Sequence, residues 1–80
     1  MTERGKVQNV SRKGFIFIRM DDYDAGGDIF CHASALHRSG ISIGKIKVGD
    51  RVTFDIVESM VRPGQFEAGN VAYANHGGRP

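Results

Sequence analysis

Apolar residues in this chain arrive in short runs, at most four in a row as at Phe15–Ile18, and no window keeps a 3.6-residue apolar period long enough for an extended helix. Elsewhere they alternate with polar residues at every second position, the period of a strand with one buried face. Eleven glycines fall between the runs. That patterning restricts the chain to an all-β meander of short strands. Five strands are expected, over about residues 5–10, 15–20, 28–32, 50–59 and 66–74. The fourth is the clearest: Val52, Phe54 and Ile56 alternate with Arg51, Thr53 and Asp55, which predicts a half-buried strand with the apolar set facing inward.

The connections carry their own signals. Ser11-Arg12-Lys13-Gly14 reads as a hairpin turn, and Asp21 to Gly27 as a longer acidic loop. A single helical turn is expected over 33–36. The stretch from Arg38 to Lys47, with Gly40 and Gly44, is then the longest loop and the segment expected to move most. Arg62-Pro63-Gly64-Gln65 is a strong turn signal before the last strand. The tail 76–80 lacks apolar anchors and is expected to fray, leaving one domain over 4–75. Five short strands must hide their edges, and closing into a small barrel does so. A five-stranded oligonucleotide-binding (OB) barrel, closed or partly open, leads; a small sandwich and an SH3-like barrel fit the same pattern.

Three of the five phenylalanines lie in two of these strands, and on an unexpected face. At strand period Phe15, Phe17 and Arg19 point one way and Ile16 and Ile18 the other. In the next strand Asp28, Phe30 and His32 share a face opposite Ile29 and Cys31. A core explains the isoleucines and the cysteine. It does not explain phenylalanines among Lys13, Arg19, Asp28 and His32. Rings set among cations suit a single-stranded nucleic acid, whose bases stack on the rings while positive groups neutralise phosphates.

Composition bounds the reading further. Eighty residues make one small domain with a thin core. A net charge of +2, from eleven bases and nine acids, means that affinity for a polyanion cannot rest on charge alone. One cysteine excludes an internal disulfide. No signal-peptide pattern and no membrane-length apolar run is present, so a cytoplasmic setting is expected. Cys31 and His32, as strand neighbours, point to opposite faces and cannot easily share a metal or form a nucleophile–base pair. Cys31 therefore reads as a small buried thiol. The glycines form no phosphate-binding loop, and the aspartates lack the glutamate that an EF-hand needs. No catalytic constellation and no cofactor are expected.

With these residues in view the chain resembles the cold-shock domain family. That family carries Lys-Gly-Phe-Gly-Phe-Ile on its second strand, and Lys13 to Ile18 match it with Ile16 in place of the inner glycine. Its third strand carries Asp-Val-Phe-Val-His, matched by Asp28, Phe30 and His32. Ser34-Ala35-Leu36, the Gly49, Val52 and Phe54 pattern, and Ala68-Gly69-Asn70-Val71 resemble the family's later segments in order. The likeness covers roughly residues 4–74. It implies a five-stranded OB barrel that binds single-stranded RNA or DNA with little sequence preference, acting as an RNA chaperone or as a regulator of transcription or translation. By position Phe15, Phe17, Phe30 and His32 would form the stacking platform. Lys13 would meet phosphate, and Asp28 would make a polar contact at the platform's edge. Arg12 and Lys6, on or near the first two strands, join Lys13 as expected phosphate contacts by charge and position. A monomer is expected rather than a dimer, with no membrane or small-molecule partner.

The chain also departs from the family. The first strand usually reads Gly-x-Val-Lys-Trp-Phe-Asn, but Gly5-Lys6-Val7-Gln8-Asn9-Val10-Ser11 has no aromatic, and the chain has no tryptophan. The first hairpin is one residue shorter. Ala33 stands where a second phenylalanine often follows the histidine, and Ile41 where the long loop often has one. At about 1–3 kcal/mol per stacked base, losing two rings weakens binding by at least tenfold to a hundredfold unless something compensates. Two other rings are candidates. Phe66 either covers the platform's edge or caps the barrel core, with the core favoured; Tyr23 sits among aspartates that repel phosphate. The missing rings also admit a rival: a protein-interaction module that uses the same Phe patch with nucleic-acid binding weakened or lost.

Overall fold

The structure, a computed structural model, describes residues 2–21, 27–59 and 62–74. Five strands form, β1 (Thr2–Ser11), β2 (Phe15–Met20), β3 (Asp28–His32), β4 (Arg51–Glu58) and β5 (Phe66–Tyr73), with one short helix, α1 (Ala33–Arg38), between β3 and β4. All pair antiparallel in a single sheet of order β3-β2-β1-β4-β5. Among the described residues no ladder joins β3 to β5, yet the two strands lie against each other. The sheet is thus coiled into a partly open barrel. Tyr23 and the tail 76–80 lie outside the described residues.

β1 starts earlier than its apolar pattern implies, because Thr2 to Lys6 form a ladder with β4 while Gly5 onward pairs with β2. A strand that serves two neighbours at once has to bend. Gly5 stands at that crossing, where a Cβ would meet the Arg19 carbonyl oxygen at 2.5 Å, so only glycine allows β1 and β2 to approach so closely. Past this point the register slips by one residue between Val7 and Asn9, a bulge that leaves Gln8 without a partner in β2.

A second irregularity separates Thr53 from Asp55 in the β4–β5 ladder. There Asn70 adopts φ +49°, a left-handed conformation that asparagine tolerates better than most residues, and its side-chain amide donates to Asp55 Oδ2 at 3.0 Å. Val52 and Phe54 face the core as their alternation predicts, but Ile56 does not stay buried: it is 43% exposed. Its partner across the ladder, Ala68, is fully buried, so at this rung the smaller side chain takes the core position and the larger one reaches solvent.

The core is aliphatic around one ring, with Phe54, Ile16, Ile18, Leu36, Val7 and Val52 fully enclosed. The stretch from Arg38 to Lys47 is pinned more firmly than its glycines imply, since Ile41 and Ile46 both enter this core. Ile41 N–H also donates to the Leu36 carbonyl at 2.9 Å, closing the end of α1. The turn expected at 62–65 forms: Gln65 N–H reaches the Arg62 carbonyl at 3.0 Å, and Gly64 takes φ +88° as the third residue of a type II turn requires.

Candidate nucleic-acid interface

β2 and β3 pair so that Phe15 lies opposite His32 and Phe17 opposite Phe30. Directly opposed residues share a face, so all four project from the outside of the barrel while Ile16, Ile18 and Cys31 fill its inside. Three rings form a close triangle. Their centroids are 5.5 Å apart for Phe15–Phe17, 5.3 Å for Phe15–Phe30 and 5.8 Å for Phe17–Phe30. Two of the pairs meet edge to face, at 79° and 70°, the arrangement that ring quadrupoles favour. Each ring is only half buried. Mutual contact holds the rings in place and leaves flat apolar surface open to solvent.

His32 extends the row, its ring 6.3 Å from that of Phe30. The same side chain starts α1: the Ser34 backbone N–H donates to His32 Nδ1 at 3.0 Å, and Ser34 Oγ lies 2.9 Å from the same nitrogen. An amide N–H can only donate, so Nδ1 accepts, and the neutral ring carries its proton on Nε2. His32 is therefore at once a ring on the outer face and a helix cap.

The cations are arranged with the rings. Lys6 lies between Arg19 of β2 and Arg51 of β4 in the two ladders, which places three positive groups in a row on the outer face. Like charges opposed in this way repel, and acids answer two of them. Arg19 Nε bonds Asp28 Oδ1 at 3.0 Å, and Arg51 Nη1 reaches both carboxylate oxygens of Asp21 at 3.0 and 3.1 Å. Lys6 has no acidic partner among the described residues. Arg12 and Lys13 are exposed in the β1–β2 turn, also without one. Asp28 is held by Arg19 rather than left open at the platform's edge.

Asn9 faces out opposite Phe17, immediately after the β1 bulge. A first-strand ring would stand at this position, so the gap in the platform has a definite place. Phe66 differs from its expected core role: it is 61% exposed. It pairs with exposed Glu58 at the turn end of the β4–β5 ladder. It lines a groove of about 520 Å³ whose other walls include Phe17, Phe30 and His32. Arg38, at the end of α1, and Arg62, in the β4–β5 turn, border the same groove. Neither arginine is marked as a site residue by the sequence, since Arg38 lies at the far end of α1 and the turn that carries Arg62 meets the platform only when β5 folds back beside β3.

Cys31 lies behind this surface, fully buried. Burial, with the Glu67 carboxylate adding repulsion, pushes its thiol up to about 12. The unfolded thiol loses its proton near its ordinary value of 9.0, while the folded one keeps it to about 12. Between those values the unfolded state binds fewer protons, so stability falls as pH rises, by at most about 1.4 kcal/mol per unit. Urea midpoints taken at rising alkaline pH should show a decline that is absent in Cys31→Ala. A variant that declines as steeply would sever this link. Among the described residues no cluster fit for a metal ion occurs, and no helix is long and apolar enough to cross a membrane.

An aromatic face flanked by cations, on a small coiled sheet of five antiparallel strands, defines a nucleic-acid-binding β-barrel of the OB class. Comparison with known proteins narrows the class. Residues 3–74 match the family described as the 'Cold-shock' DNA-binding domain. The chain is also 41% identical over 64 residues to Cold shock protein CspA of Rhizobium meliloti (strain 1021), an alignment covering 80% of this chain and 86% of that protein. The chain belongs to the cold-shock domain family, and nucleic-acid binding is its general activity.

Proposed function

We propose that this protein binds single-stranded RNA or DNA by stacking bases on Phe15, Phe17, Phe30 and His32 while Lys6, Arg12 and Lys13 meet phosphates. The observation that carries this reading is the triangle of half-exposed rings on the outside of β2 and β3. Every base has a flat face, so such a platform takes strands with little regard to sequence. A duplex keeps its bases stacked inside and cannot use it. Preferential binding to the unpaired strand therefore draws structured RNA toward the open form without nucleotide hydrolysis, which is the physical basis of a cytoplasmic RNA chaperone or of a regulator acting on transcripts.

Titration of a fluorescein-labelled oligo-dT or oligo-U strand at two salt concentrations tests the reading. Saturable binding is expected, with log affinity falling against log salt by about 0.7 for each phosphate neutralised. The absence of salt-sensitive binding at tens of micromolar protein would return the Phe patch to the rival role of docking another protein.

A further inference from the structure

Phe66, Arg38 and Arg62 belong to neither of the two strand motifs, yet they share a groove with the platform. We propose that this groove is an additional nucleotide subsite. The base of the nucleotide adjoining the platform stacks on Phe66, and Arg38 and Arg62 neutralise the phosphates on either side of it. The subsite rests on the single-strand reading above and extends it to residues outside the family's motifs.

Four observations carry this assignment. The groove is continuous with the platform, because Phe17, Phe30 and His32 line both. A strand leaving the platform at that end runs straight into it. Phe66 is 61% exposed, so burial in the core does not account for the ring. Among the described residues Arg38 and Arg62 lack carboxylate partners, unlike Arg19 and Arg51, and Glu67 is the one acid lining the groove. The groove therefore keeps a net positive charge suited to phosphate. Its volume of about 520 Å³ lies within the range of small-ligand pockets.

Both arginines are held by fixed backbone. The end of α1 is tied down by Ser39, whose Oγ donates to the Ala35 carbonyl at 2.9 Å and accepts from Val71 N–H of β5 at 3.0 Å. Arg62 N–H donates to Ser59 Oγ at 3.1 Å across the β4–β5 turn. The two arginines thus line the groove from two separate anchored elements, the end of α1 and the β4–β5 turn.

Affinity measured against strand length tests the subsite. Labelled oligo-dT strands of about three to about eight nucleotides span the shorter site sizes known for a single OB fold. Wild-type affinity should rise in a step once the strand is long enough to enter the groove. Phe66→Ala should remove that step, about a 5- to 150-fold loss for long strands, while leaving short strands unaffected. The Arg38→Gln, Arg62→Gln double variant should lower the long-strand salt slope by about 1.4. An unchanged Phe66→Ala, or one weakened equally at every length, overturns the subsite and leaves the platform standing. Failure of the wild type to bind any strand overturns both.

Discussion

Replacing Phe15 and Phe30 together by alanine should weaken binding of an oligo-dT or oligo-U strand by roughly 25-fold to 20,000-fold. The range follows from about 1–3 kcal/mol for each stacked base, with the two rings acting independently. These two are the stronger choice because their rings are only 5.3 Å apart and tilted by just 33°, the flattest pair in the triangle. Removing them also leaves Phe17 without the edge-to-face contacts that fix its orientation. Both side chains point away from the core, so the variant should fold, and its thermal melting curve serves as the control. Binding as tight as wild type in a folded double variant would show that the strand lies elsewhere.

The second large effect has the opposite sign. Asn9→Trp should tighten binding by about 5- to 150-fold, the gain from one further stacked base. Asn9 lies opposite Phe17 and shares its face, so an indole there would extend the triangle across β1. The family's first-strand pattern places its tryptophan at this position. The chain otherwise has no tryptophan, so the new residue would report on its own surroundings. A base stacking on it should quench its fluorescence as the strand saturates the protein. Unchanged affinity together with unchanged fluorescence at saturation would mean that the β1 bulge turns position 9 away from the bound strand.

Much of the barrel and most of the platform were legible because they depend on local alternation. A strand shows its two faces to anyone counting by two, and β2 and β3 obey that count without a break, so Phe15, Phe17, Phe30 and His32 could be assigned to one side. The count fails where a residue is inserted or a strand outlasts its partners. The bulges at Gln8 and Asn70 shift the phase without any strong compositional mark, although the left-handed conformation gives Asn70 a reason in retrospect. For Phe66 the sequence leaves two roles open, covering the platform's edge or capping the core, and favours the core. Its pairing with exposed Glu58 at the turn end of the ladder decides against the core, and no periodicity records that. Arg38 and Arg62 are further removed still. Arg38 reaches the rings through α1, which His32 caps directly after β3, and Arg62 through β5 lying beside β3, a contact between elements far apart in the chain.

The double duty of His32 shapes how the site would respond to change. Its ring lies in the aromatic row, and its Nδ1 holds the first turn of the helix that ends in Arg38. One side chain thus mechanically joins the row of rings to one wall of the groove. A strand pressing on the imidazole would also press on the helix, and a helix that shifted would tilt the imidazole. The platform and groove are better pictured as two jaws sharing a pin than as separate patches, and a substitution at the pin loosens both.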